Sequence, residues 1–192
     1  NGRIGIELSL AILLGPPGAF VSECAGLLSQ LTGLPYLDVN DAIEAATGAS
    51  PERIVTTRGA DELRKIESQL VAAILNSIDA GETKILALSS GALGDSDDDE
   101  AYASIRRRMA DLAEGGATVI HLTGDLKTLV KRTGLGGPRI AAVESPRRIF
   151  YGHLKRREPL YASLSNSTID TTGKSLSETA AEAARLIGYS IL

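Results

Sequence analysis

Leu8-Ser9-Leu10-Ala11-Ile12-Leu13-Leu14 runs into Gly15-Pro16-Pro17-Gly18 and then into Ala19-Phe20-Val21-Ser22-Glu23-Cys24. The first seven residues are nearly continuous apolar sequence of strand length. A run of that kind suits a strand covered on both faces, as in a parallel sheet. Residues 15–18 read as a turn and residues 21–31 as a helix. Strand, glycine-bearing turn and helix in that order open an α/β domain.

The alternation continues outward from this stretch. Residues 34–39 read as a second strand. From Asp61, the apolar positions Leu63, Ile66, Leu70, Ile74 and Ile78 recur at helical spacing. Residues 84–88 read as a third strand, 100–114 as a helix and 118–122 as a fourth strand. Asp125 is an N-cap for a helix reaching about Arg132. Ser145-Pro146 pairs an N-cap with proline at the first helical position, opening a helix that runs to about Arg157. Residues 167–172 read as a fifth strand. Ser175-Leu176-Ser177-Glu178 has the capping-box pattern, and Gly188 is a C-cap for the last helix. Strands alternating with helices imply a five-stranded parallel sheet with helices on both faces, a three-layer α/β architecture. One domain is expected over residues 1–192. The stretch 134–144 is its one irregular loop long enough to act as a mobile lid.

Composition narrows the function classes. Twenty Lys and Arg against 24 Asp and Glu give a net charge of −4, which argues against nucleic-acid binding through bulk charge. No stretch approaches the roughly 20 apolar residues that cross a bilayer, so no membrane role is expected. One cysteine, Cys24, excludes an internal disulfide framework, and two histidines leave a Cys/His zinc site implausible. A reduced, cytoplasmic setting is the natural expectation. The acidic run Asp95, Asp97, Asp98, Asp99, Glu100 has the alternate spacing of a calcium loop. It lacks the loop's central glycine and closing glutamate, which are here Glu100 and Arg106. It reads as a solvated loop leading into a helix N-terminus, and Arg106-Arg107-Arg108 reads as a solvated helix face.

The turn after the first strand is where a phosphate loop is expected. The pattern G-x-x-x-x-G-K-[ST] is met at Gly15 and Ser22, with an additional Gly18. Phe20 stands where glycine lets backbone amides close around phosphates, and Val21 stands where lysine reaches them. Glu23 adds a negative charge to the first turn of the following helix. The two positions that carry most of the chemistry are therefore lost.

Six segments, in order and spacing, resemble the shikimate kinase family. Gly15-Pro16-Pro17-Gly18-Ala19 resembles the opening of its phosphate loop. Leu37-Asp38-Val39-Asn40-Asp41-Ala42-Ile43-Glu44 resembles its L-D-x-D-x-x-I-E segment. Leu63-Arg64-Lys65-Ile66-Glu67 resembles F-R-x-x-E, and Ser89-Ser90-Gly91-Ala92 falls at the triple-glycine turn. Val130-Lys131-Arg132-Thr133-Gly134 with Arg139 resembles the entry to the lid, and Arg157-Glu158-Pro159-Leu160-Tyr161 resembles R-x-P-L-Y.

The resemblance implies a P-loop kinase fold of the nucleoside monophosphate kinase type, with ATP and Mg2+ as cofactors and phosphoryl transfer to shikimate as the reaction. It implies that Arg64, Gly91 and Arg157 bind a small hydroxylated carboxylic acid such as shikimate. Gly15, Gly18, Ala19, Ser22 and Arg132 would bind nucleotide, and Ser22 and Asp38 would serve the magnesium. Arg139 would neutralise the transferring group. Asn40 stands where the family's aspartate holds the reacting hydroxyl. With lysine, glycine and this carboxylate all replaced, the expectation is a catalytically weakened or inactive relative that keeps part of a hydroxy-acid pocket. Two alternatives stand beside it. One is an active kinase with an atypical loop, and the other is a P-loop-fold scaffold or regulatory protein acting through a protein partner.

Overall fold

The computed structural model describes residues 9–135 and 146–189. Five parallel strands, β1 (Ala11–Leu14), β2 (Tyr36–Asp38), β3 (Ile85–Ala87), β4 (Thr118–Thr123) and β5 (Ser167–Asp170), lie in the order β2-β3-β1-β4-β5. The apolar run read from the sequence is the central strand, and Ala11 pairs with Ile85 on one side and Thr118 on the other. All four residues of β1 are buried. Alternating side chains feed two cores. Ile12, Leu14, Leu86 and Val119 face one, and Ala11, Leu13, Ile85 and Ile120 face the other.

Helices cover both faces. They are α1 (Val21–Thr32), α2 (Val39–Thr47), α3 (Pro51–Arg58), α4 (Ala60–Ser77), α5 (Ala103–Glu114), α6 (Leu126–Arg132), α7 (Pro146–Leu164) and α8 (Leu176–Leu186). α2 begins where the second strand was expected to end, because Asp38 closes β2 and caps α2 by accepting from the Asn40 N–H at 2.7 Å. α3 escaped the sequence reading because it buries only Ile54 and shows no apolar stripe. It is set instead by its Ser50 cap and Pro51 at the first position.

α7 passes Arg157 and runs through Pro159 to Leu164, burying Leu160 and Tyr161. Packing of that face outweighs the hydrogen bond that proline removes. β5 ends two residues early, where Asp170 accepts from Thr172 N–H at 2.9 Å and turns the chain. The capping box at Ser175 and Glu178 is present, and Gly188 has φ +83 beyond the last turn of α8. The expected cap Ser145, most of the expected lid and Arg139 lie outside the described residues.

Parallel strands deliver their C-terminal ends to one edge of the sheet, where open α/β folds place their sites. Gly15 follows β1, Asp38 ends β2, Ser89 follows β3, Thr123 ends β4 and Thr171 follows β5.

Candidate functional site

The first half of this edge is an ion-pair cluster between α4, α7 and the loop after β3. Arg64 on α4 and Arg157 on α7 converge on one carboxylate. Asp95 Oδ1 accepts from Arg157 Nε at 2.7 Å, and Asp95 Oδ2 accepts from Arg64 Nη1 at 3.1 Å. The other terminal nitrogen of Arg64 pairs with Asp99. The Arg64 guanidinium also lies 5.2 Å from the Tyr102 ring centroid, a cation–π distance.

Glu67, one turn along α4 from Arg64, is buried and accepts from Ser89 Oγ at 2.6 Å and Tyr102 Oη at 3.1 Å. Gly91 lies against the same cluster. A Cβ there would meet Glu67 Oε1 at 2.7 Å and Arg157 Nη2 at 3.3 Å, so any side chain would have to push the Glu67 carboxylate aside. Ser89 turns its hydroxyl into this network. Tyr161 anchors Ser90 by donating to its carbonyl at 2.5 Å.

Charge states follow from these contacts. Burial pushes the Glu67 carboxyl above its usual range, against the pull of Ser89, Arg157 and Tyr102. Burial acts the same way on Asp95, but hydrogen bonding and charge from Arg157, with Arg64 behind it, bring its carboxyl below the usual range. His153 on α7 is held below its ordinary value by burial and then by the Arg157 charge. It lines a narrow cleft with Pro16, Pro17, Ser90, Phe150, Leu154, Arg157 and Tyr161. That cleft joins the arginine cluster to the glycine-bearing loop.

The second half is the loop itself. A Cβ on Gly15 would meet the Leu122 carbonyl oxygen at 2.2 Å, and one on Gly18 would meet the Leu129 carbonyl oxygen at 2.9 Å. Both glycines let the loop lie on β4 and α6. Ala19 is buried, and Ser22 is half-buried in the first turn of α1. Phe20 adopts φ 68, ψ 24, a left-handed conformation unusual for an aromatic residue. Its ring lies 3.9 Å beneath the Arg132 guanidinium. Arg132 in turn donates to Gly18 O at 3.0 Å, Thr171 Oγ1 at 2.8 Å, Thr171 O at 2.8 Å and Lys174 O at 3.2 Å.

Val21 is only 8% exposed and belongs to the α1-side core. At the two positions that a phosphate loop fills with glycine and lysine, the loop therefore offers an aromatic ring and buried methyl groups. These residues do not fit a triphosphate. Arg132, the cation at the loop, is committed to Gly18, Thr171 and Lys174, and its α6 neighbour Lys131 is exposed. For a metal, Ser22 offers a hydroxyl and Asp38 a buried carboxylate whose Oδ1 already caps α2. Among the described residues, no three His, Cys, Asp or Glu side chains cluster as a metal site.

The structure thus gathers Arg64, Gly91 and Arg157, and it joins Arg132 to Gly18. Asn40 sits half-buried in the first turn of α2. Sequence reading missed Asp95 and Asp99, which are bound to arginines instead of solvated; only Asp97, Asp98 and Glu100 of the run are exposed. It also missed Arg106, which donates to the carbonyls of Leu93, Asp97 and Asp99, and Arg108, which reaches Leu75 O and Asp79. The concentration of acids directly after the Ser89-Ser90-Gly91-Ala92 turn was the available signal. Cys24 is inert by contrast. Burial, and then Glu23, push its thiol up to about 12.

A parallel sheet in this order, with a glycine-bearing loop after its central strand, defines the P-loop kinase fold. Solved structures agree. Shikimate kinase from Acinetobacter baumannii, solved in complex with shikimate, superposes with a TM-score of 0.73 at 26% identity, covering 94% of this chain and 93% of that one. A gluconokinase from Sinorhizobium meliloti shares the fold with a TM-score of 0.62 at 20% identity, covering 94% and 92%. The family model "Shikimate kinase" matches residues 17–187. The shikimate kinase of Salinispora arenicola is 30% identical over 178 residues, covering 93% of this chain and 97% of the relative. This chain belongs to the shikimate kinase family.

Proposed function

We propose that this protein keeps the acid-binding half of a shikimate kinase site and has lost most of the ATP half, leaving phosphoryl transfer from ATP weakened or absent. The observation that carries this reading is the phosphate loop. Phe20 is locked under Arg132, and Val21 is sunk in the core. Phosphoryl transfer depends on fixed donors around the transferring oxygens, and losing one such donor typically costs about 10²–10³ in rate. The family works with ATP and Mg2+; here Phe20 and Val21 leave the loop unfit for the triphosphate, and the Ser22 hydroxyl and the Asp38 carboxylate are the groups left to hold the metal.

On the other side, Arg64 and Arg157 are spaced to share a carboxylate, as their hold on Asp95 demonstrates. Gly91 lets the turn after β3 pack directly against Glu67 and Arg157. Two guanidiniums on one carboxylate give strong, directional hydrogen bonds. The ligand class this supports is a small hydroxylated carboxylic acid, the class that includes the shikimate bound by the Acinetobacter relative. Asn40 can orient a hydroxyl there but cannot take its proton at neutral pH.

Calorimetric titration with magnesium and ATP tests the reading. No saturable binding is expected below about 1 mM, the weak end of the affinity scale. Low-micromolar ATP binding, or steady shikimate-dependent ADP release, would replace it with an active kinase using an atypical loop.

A further inference from the structure

We propose that Asp95 occupies the acid subsite from within: its carboxylate stands between Arg64 and Arg157 where a ligand's carboxylate would sit, and it sets the affinity of the pocket for free acids. The inference rests on the reading above only in taking these two arginines as the acid-binding pair.

The geometry is that of a bound ligand. The two oxygens of one carboxylate are divided between two guanidiniums on different helices, at 2.7 and 3.1 Å. Nor does a loose loop carry it there. Gly94 has φ +83, and a Cβ on it would meet Asp99 Oδ2 at 2.9 Å and the Tyr102 ring at 3.1 Å, so the turn before Asp95 is built for glycine. The Asp95 N–H donates to Asp99 Oδ2 at 3.3 Å. Arg106 holds the carbonyls of Leu93, Asp97 and Asp99 at 3.0, 2.8 and 3.1 Å. The segment is fastened at both ends of the acidic run, with Asp95 presented inward.

The charge balance points the same way. Asp95 and Asp99 cancel Arg64 and Arg157 before the buried Glu67 is counted. An incoming acid therefore meets a pocket with no net positive charge, or it displaces Asp95. Displacement exchanges one carboxylate for another and gains nothing from the arginines. A tethered group also competes at an effective concentration of about millimolar or more. Only the ligand's hydroxyls remain to favour it.

Two probes on the full-length protein separate this from the reading it rests on. Acetate asks only whether a carboxylate reaches the arginines, followed by the Nε–H resonances of Arg64 and Arg157. Shikimate asks whether a hydroxylated acid docks. In the unsubstituted protein acetate should leave both resonances in place, and in Asp95→Ala it should shift them. Shikimate should bind Asp95→Ala and Asp95→Asn at least tenfold more tightly than the parent, the Asn variant preserving the shape of the loop.

Acetate shifts of equal size in parent and variants, or in none of them, overturn the proposal. So does unchanged or weaker shikimate binding in both variants when the parent binds it. Acetate docking in the variants alone, with shikimate binding nowhere, upholds the role of Asp95 and removes only the hydroxy-acid reading. The unsubstituted protein gives a direct measurement as well. Shikimate that docks there displaces Asp95, so the carboxyl carbon resonance of Asp95 must move with the arginine signals; docking that leaves it still overturns the proposal.

Discussion

The two halves of the site are both closed, by different means. Over the β3 end, Arg64 and Arg157 are satisfied by Asp95 and Asp99, side chains that could be exchanged for a ligand of the same charge. Over the β1 end, Phe20 and Val21 fill the loop, and Arg132 is tied to backbone on three sides. A carboxylate can replace a carboxylate with little change in the surrounding hydrogen bonds. No phosphate can replace a ring and two methyl groups. One half pairs its arginines with carboxylates of its own chain, while the other fills the phosphate-loop positions with an aromatic ring and buried methyl groups.

The sharpest break of that comparison is Arg157→Ala. The Arg157 side chain is 12% exposed, and its loss leaves Asp95 and the buried Glu67 without their strongest cation. Breaking a largely buried pair from one side costs about 3 kcal/mol. For a domain of this size that lowers the melting temperature by about 6–12 °C. Shikimate binding should disappear with it. A variant that melts within 2 °C of the parent (a difference of about 1 kcal/mol or less) would show that the arginine cluster is ornamental.

The second test asks whether the loop half can be restored. Phe20→Gly removes the ring under Arg132, and Val21→Lys returns a cation, whose stem must thread out of the α1-side core. The double variant should gain at least tenfold in ATP affinity, about 1.4 kcal/mol. Shikimate-dependent ADP release should stay low until Asn40→Asp is added. A folded double variant with unchanged ATP affinity would place the loss deeper than these two side chains.

The smallest effect lies between the halves, at His153. Its folded pKa is depressed from the ordinary 6.5 by burial and then by Arg157. A depressed histidine gives stability that is complete above the unfolded pKa and lost as pH falls through the folded one. The melting temperature should therefore drop slightly below pH 6.5, and His153→Gln should flatten that part of the profile. An unchanged profile in the variant would remove His153 from the cleft's electrostatics.

What the sequence disclosed follows from where each signal resides. β1, its loop and α1 were legible because an apolar run and two glycines are local facts. So were the replacements at Phe20 and Val21, read against a spacing rule. α3 was hidden because one buried residue, Ile54, makes no period. Asp95 was hidden for a different reason. Its partners lie 31 and 62 residues away along the chain, so the same acids that look solvated in one dimension are paired in three. Arg132 was legible as a residue at the lid entry, but its four hydrogen bonds and its stacking on Phe20 required the fold.

The stacked Phe20 and Arg132 also change how this protein responds to its surroundings. Loops that wait for phosphate are ordered by it, and a protein containing one gains about 2.7 kcal/mol at roughly a hundredfold ligand excess over Kd. Here the loop is held by the Phe20 ring stacked on Arg132 and by one hydrogen bond from Arg132 to Gly18 O, while three more anchor Arg132 on Thr171 and Lys174. Its order is intrinsic instead of conditional. On the proposed reading, in which the loop takes no triphosphate, the folded population of this protein is uncoupled from the energy charge of the solution around it, where a nucleotide-clasping relative would rise and fall in stability with its supply of triphosphate.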